Sequence, residues 1–164
     1  MSVSAEQRRV LFSHPAGWIA LGFGSGLSPA APGTAGSLAA LIPWLFVRGA
    51  GPIFYSVFLI ATFALGIWAC GWAVRKTQVD DPSFVVWDEF VGQWIALLPL
   101  VILARSAWWI IAGFILFRIF DIWKPWPVSL ADRDVDGGLG VMLDDVVAGA
   151  YAAIVLGIAL AILG

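Results

Sequence analysis

One cysteine, one histidine and little charge leave this chain of 164 residues short of several common chemistries. Cys70 alone can form neither an internal disulfide nor a zinc cluster. It sits in an apolar run, where a free thiol is usually a small hydrophobe. His14 has no second histidine to work with, so a loop or packing role is expected of it. Charged residues make up 12% of the chain, whereas a soluble domain carries about 25%. The net charge of −2 gives nucleic acid no basic surface to bind, and no nucleic-acid partner is expected. A cleaved leader is not expected either. Arg8 and Arg9 are followed by Ser13, His14, Pro15 and glycines rather than by an unbroken apolar core.

The chain is rich in apolar side chains, which make up 61% of it and include ten tryptophans. Five apolar runs stand out. They are Ser37 to Val47 with Pro43 inside, Ile53 to Val74, Phe90 to Ala104 with Pro99 inside, Ala107 to Ile122, and Val146 to Leu163. The second is long enough to cross a hydrocarbon layer of about 30 Å at a rise of about 1.5 Å per residue. The first and third fall below the ~17-residue norm and are expected to be short, re-entrant or kinked. The expected fold is all-α, a polytopic membrane helical bundle of about five membrane-embedded helices, two of them short or kinked. It would form one domain over residues 1–164, with 1–32 as a cytoplasmic N-terminal segment and glycine-rich loop.

Basic residues orient this bundle. With the N-terminus inside, Arg8, Arg9, Arg75, Lys76, Arg118, Lys124 and Arg133 lie at the inner face, and only Arg48 and Arg105 lie outside. The outer turns, Arg48 to Pro52 and Arg105 to Ser106, are too short to do more than link helices. Trp44, Trp108 and Trp109 are expected at the outer interface. Trp68, Trp72, Trp87, Trp123 and Trp126 are expected near the inner one, as aromatic belts.

Ten of the eleven acidic residues fall between Asp80 and Glu89 or between Asp121 and Asp145, and both stretches lie on the inner side in this arrangement. A carboxylate at the bilayer centre costs about 2.5–3.5 kcal/mol on insertion scales, so chemistry is expected at the water boundary. Asp88 and Glu89 precede the third run, and Asp144 and Asp145 precede the fifth. Acids at a helix N-terminus are favoured by free N–H groups and the helix dipole. Adjacent pairs before two different runs go further. Four carboxylates meeting at one level repel one another unless a cation lies among them, and hard oxygen ligands suit Mg²⁺ or Ca²⁺.

Arg118, Asp121 and Lys124 recur every third residue and share roughly one helical face before Pro125. They read either as a self-paired charge stripe at a span end or as one carboxylate for a metal with two cations for a phosphate. Gly22 to Ser37, GFGSGLSPAAPGTAGS, matches no nucleotide-binding pattern. It reads as a flexible loop, or, through Gly33, Thr34, Gly36 and Ser37, as a phosphate cradle opening the first run. Asp132, Asp134 and Asp136 before Gly137 imitate half a calcium loop. However, Leu143 stands where the closing Glu would be needed, so a solvated acidic loop is expected.

These motifs together resemble the phosphatidylglycerophosphatase A family of bacterial inner-membrane lipid phosphatases. The resemblance rests on GFGSGLSPAAPGTAGS at 22–37, VVWDEFVGQW at 85–94, FRIFDIWKPWP at 117–127 and GGLGVMLDDVVAG at 137–149, in family order. Asp134 and Asp136 lie outside the pattern. The resemblance implies Mg²⁺-dependent hydrolysis of phosphatidylglycerophosphate to phosphatidylglycerol and phosphate at the cytoplasmic face of the inner membrane. Asp88, Glu89, Asp121, Asp144 and Asp145 would then surround the metal. Arg118 and Lys124 would neutralise the phosphate, with Gly33, Thr34, Gly36 and Ser37 holding it. Direct attack by water and an aspartyl-phosphate route both fit these residues. The competing readings are a CDP-alcohol phosphotransferase-like enzyme, whose D-x2-D-G-x2-A-R pattern is absent, and an ion-coupled transporter or lipid-binding protein, for which acids deep within spans are expected. The sequence leaves the oligomeric state open.

Overall fold

The computed structural model describes residues 3–79, 82–103, 107–126 and 136–163. Every regular element among them is helical, as the apolar runs predict. Helix α1 (Ala5–Phe12) starts with a capping box in which Ser4 and Gln7 satisfy each other's backbone N–H groups. Helix α2 (Pro15–Ala20) is capped by His14, whose Nδ1 accepts the Ala16 N–H at 3.1 Å, with Pro15 in the first helical position. The His14 ring also stacks on Trp72 at 4.7 Å between centroids, the packing role expected of it. A 3₁₀ turn follows at Gly22–Leu27. The N-terminal stretch is therefore mostly helical where a loop was expected, because Leu11, Ala16, Ala20 and Leu21 are fully buried against the bundle.

The bundle itself comprises α3 (Pro32–Val47), α4 (Pro52–Thr77), α5 (Trp87–Ala96), α6 (Leu98–Leu103), α7 (Trp108–Trp123) and α8 (Gly137–Leu163). Two of these, α4 and α8, are long and apolar enough to cross a membrane. Their 26 and 27 residues correspond to about 40 Å of helix. Phe46, Ile53, Ile60, Ile158 and Ile162 face outward, an apolar exterior that suits association with a membrane. The third run is broken at Leu97, between α5 and α6. Pro99 has no N–H to continue the ladder to Ile95, so the kink comes from backbone chemistry.

At the centre, α5 packs against α3, α4, α7 and α8. Indole and phenol groups fasten it. Trp94 Nε1 donates to the Ala40 carbonyl at 2.8 Å, Trp87 Nε1 to the Thr62 carbonyl at 3.0 Å, and Tyr55 Oη to the Trp94 carbonyl at 2.7 Å. Trp44 and Trp87 depart from the interfacial belts expected of them. Both are core residues, 1% and 5% exposed, because each lies on the inward face of its helix. Trp108, Trp123 and Trp126 are exposed, as a belt requires.

The fifth run also starts earlier than expected. Helix α8 begins at Gly137, not at Val146, so Asp144 and Asp145 lie two turns inside it rather than at its N-terminus. The glycines that read as a turn are helical because they let α8 touch α4. A Cβ on Gly138 would run into the Ile67 carbonyl and the Gly71 backbone.

Candidate functional site

Two glycines set the register of the site. Gly92 on α5 and Gly149 on α8 meet backbone to backbone, so closely that a Cβ on Gly149 would strike the Gly92 carbonyl. Asp88 and Asp145 each lie four residues earlier on their helices, one turn away on the same face. The contact therefore brings both acids to one point. Oxygen atoms of Asp88, Glu89 and Asp145 all lie within 4.8 Å of one another. Asp88 and Glu89 occupy the first turn of α5, as the sequence predicts. Asp88 is 9% exposed and Asp145 3%.

The two other predicted acids flank this group. Asp121 forms an ion pair with Arg118 at 2.6 Å and is within hydrogen-bonding reach of Asp145. Asp144 pairs with Lys124 at 2.9 Å, and its Oδ1 accepts the Asp145 N–H at 2.9 Å. Arg118 and Lys124 thus border the acidic group through two different carboxylates, Asp121 and Asp144.

From the other side comes the first turn of α3. Gly33 faces the site, and a Cβ there would collide with Glu89 Oε1 and crowd the Arg118 guanidinium. Ser37, fully buried, donates its hydroxyl to the Gly33 carbonyl at 2.9 Å and accepts from Arg118 Nη1 at 3.3 Å. Thr34 is half-buried in the same turn. The N–H groups of Gly33 and Thr34 have no intrahelical partner. Gly36 points elsewhere, against Val86. The stretch 33–37 is helical rather than a loop, and Gly33 and Ser37 are its site-facing members. Of the acidic loop, Asp132 and Asp134 lie outside the described residues, and Asp136 is exposed just before α8.

Clustered, desolvated carboxylates of this kind call for a cation. Asp88, Glu89 and Asp145 stand close together away from water, so their negative charges oppose one another. Glu89 Oε2 is buried without a hydrogen-bond partner among the described residues. A hard divalent cation offsets the mutual repulsion of such carboxylates and favours their ionised form. An all-oxygen set such as Asp88, Glu89 and Asp145 suits Mg²⁺ or Ca²⁺ better than Zn²⁺.

The VVWDEFVGQW motif holds a further buried polar residue. Gln93, one turn beyond Glu89 on α5, is fully buried, and neither its Oε1 nor its Nε2 has a hydrogen-bond partner among the described residues. Its signal was present in the sequence as an amide four residues after an acid, inside an apolar run.

Comparison with known proteins finds a matching family model and curated relatives. Residues 18–160 fit the family model described as Phosphatidylglycerophosphatase A. The chain is 44% identical over 149 residues to "Phosphatidylglycerophosphatase A" of Escherichia coli strain K12, covering 90% of this chain and 85% of the relative. It is 40% identical over 157 residues to the protein of the same name from Haemophilus influenzae, covering 95% of each. A protein of Bacteroides thetaiotaomicron named "Putative phosphatidylinositol-3-phosphatase" is 45% identical over 153 residues, covering 89% of this chain and 94% of that one. No solved structure is detectably similar.

Proposed function

The chain belongs to the phosphatidylglycerophosphatase A family of phosphatases, and from that premise we propose that it hydrolyses phosphatidylglycerophosphate to phosphatidylglycerol and phosphate in a Mg²⁺-dependent reaction at the cytoplasmic face of the inner membrane. The observation that carries this reading is the meeting of Asp88, Glu89 and Asp145 within 4.8 Å, with Arg118 and Lys124 on their flanks. Phosphoryl transfer asks for that combination of a divalent cation held by carboxylates and fixed positive charge beside the phosphate.

In this reading Asp88, Glu89 and Asp145 would hold the Mg²⁺, with Asp121 and Asp144 beside Asp145. The ion supplies Lewis-acid charge to the phosphoryl oxygens. Arg118 gives the phosphate a planar, multi-donor contact, and Lys124 gives it a mobile point charge. For Arg118 this means sharing its guanidinium between Asp121, Ser37 and the substrate. The α3 turn with Gly33, Thr34 and Ser37 bounds the phosphate from the far side, where the first-turn N–H groups and the N-terminal end of the dipole favour an anion. A covalent aspartyl-phosphate and direct attack by water both remain compatible with these groups.

The whole chain, 1–164, then works as one membrane-embedded domain of about five helical passes or part-passes. Helices α4 and α8 cross fully, while α3, the α5–α6 pair and α7 complete the bundle. In this topology Arg75 and Lys76 at the end of α4, Asp88 and Glu89 at the start of α5, Arg118 and Asp121 near the end of α7, and Asp144 and Asp145 in α8 fall towards one side. That arrangement supports a surface enzyme over an ion-coupled transporter, which needs polar groups through the full depth.

Phosphate release by the purified protein tests the proposal. Activity is expected with phosphatidylglycerophosphate and Mg²⁺, and none after chelation. Phosphatidate and phosphatidylinositol 3-phosphate serve as controls, the latter because of the name carried by the Bacteroides relative. Release from the inositol lipid at equal or higher rate would reject the headgroup assignment. No release from any of the three would reject the phosphatase reading for this chain.

A further inference from the structure

Five buried side-chain N and O atoms have no hydrogen-bond partner among the described residues, and four of them belong to Glu89, Gln93 and Arg118. Glu89 and Gln93 share one face of α5 at a spacing of four residues. That face looks onto the seam between α3 and α7, because Glu89 borders Gly33 and Arg118 and Arg118 contacts Ser37 across the seam. The hydrogen bond from Trp94, the residue after Gln93, to Ala40 fixes the depth at which α5 meets α3, just past Ser37. Helical spacing therefore places Gln93 one turn beyond Glu89 on this face, deeper in the bundle than the start of α5.

An amide with both ends unpaired is costly to bury, and an apolar side chain of the same size would pack here without that cost. What the Gln93 amide can hold is narrow. Its Nε2 needs an acceptor and its Oε1 needs a donor. A fully ionised phosphate can accept but not donate, and a Mg²⁺ ion does not bind an amide N–H. A water molecule does both, and it can also donate to Glu89 Oε2.

We propose that Gln93 is a positioning residue of this site, its amide holding a water molecule against the free oxygen of Glu89. The inference rests on the hydrolase reading, since hydrolysis consumes one water whether attack falls on the substrate or on a phosphorylated aspartate. In either case the water oxygen forms the new P–O bond as the existing P–O bond breaks. The water gives up one proton to solvent; a departing alkoxide oxygen takes one up, whereas a departing aspartate carboxylate leaves ionised. Gln93 stays unchanged and sets the direction of the water.

The test compares the full-length wild type with Gln93→Leu and Gln93→Met in detergent, using phosphatidylglycerophosphate and Mg²⁺. The expected result is a fall in kcat of about tenfold or more, because a mis-aimed nucleophile costs rate rather than binding. KM should change by less than about twofold. Thermal stability should match or exceed that of the wild type, since an unpaired amide has been removed. The upward shift of Tm on adding Mg²⁺ alone should be unchanged, because Gln93 is not a ligand. A kcat near the wild-type value in both variants would overturn the proposal. So would a loss of activity accompanied by a lower Tm in both, or by a weakened response to Mg²⁺, since those outcomes mark a packing or metal-site role. An inactive wild type would instead reject the hydrolase reading itself.

Discussion

Gly92 and Gly149 touch through their backbones, and the acids one turn before them, Asp88 and Asp145, meet in a single cluster of carboxylates as a result. Neither glycine has a side chain that could take part in chemistry. Their contribution is distance, because absent Cβ atoms let α5 and α8 approach at the one level where two acids must meet.

Replacing Gly149 with Val is expected to push these helices apart. Forcing methyl groups into a packed contact costs about 1–3 kcal/mol, and here the obstacle is the rigid Gly92 carbonyl. The melting temperature in detergent should fall, and Mg²⁺-dependent phosphate release should fall further than the loss of folded protein explains. Full activity in Gly149→Val would show that the close approach is not what assembles the site.

Asp145→Asn and Asp88→Asn each remove one carboxylate from a group with no bulk water to screen it. Each variant is expected to lose about 100-fold or more in turnover, the scale for removing one preorganised electrostatic partner. Helix content should be unchanged by circular dichroism, and Tm without divalent ions should hold or rise, since like charges have been thinned out. A near-normal rate in either variant would take that aspartate out of the site.

Mg²⁺ should stabilise the wild-type protein directly. Ligand that binds only the folded chain at about 100 times its Kd adds about 2.7 kcal/mol, a shift readily seen in thermal unfolding. The shift should disappear in Asp145→Asn and persist in a variant of an acid outside the group, such as Glu6→Gln, because Glu6 lies in the first turn of α1. Equal shifts in all three proteins would mean that the ion binds elsewhere.

The sequence displayed the ingredients of the site more clearly than their placement. Asp88 and Glu89 could be read as the start of a helix because the apolar run begins just after them. Asp144 and Asp145 invited the same reading, and it failed. Gly137, Gly138 and Gly140 look like a turn until α4 is known to press against them. Trp44 shows a related limit. Distance from a span end suggests a belt residue, but only the neighbouring helices decide which face turns inward. The pairing of Gly92 with Gly149 is a contact between residues far apart in the chain, and no local pattern announces it. The carboxylates, the two cations and the Gly33–Ser37 turn were legible because each stands out against an apolar background.

Gly33 offers the sharpest separation of stability from function. In an exposed helix position, Gly→Ala stabilises by up to about 1 kcal/mol, and Gly33 lies in the first turn of α3 with ordinary helical geometry. Its surroundings change the expectation. An added Cβ would collide with Glu89 Oε1 and come within 3.3 Å of both terminal nitrogens of Arg118. The backbone there can accept alanine, but the side chains facing it must move. Glu89 and Arg118 are both assigned to the reaction, so their displacement should cost activity of about tenfold or more, while Tm stays within a few degrees of wild type. Gly49→Ala is the matching control, because a Cβ there meets nothing within 4 Å, and it should leave both quantities unchanged. Phosphate release and thermal unfolding measured on both variants decide the matter. If Gly33→Ala keeps full activity, the α3 turn does not border the substrate, and the phosphate must be held by Arg118 and Lys124 without it.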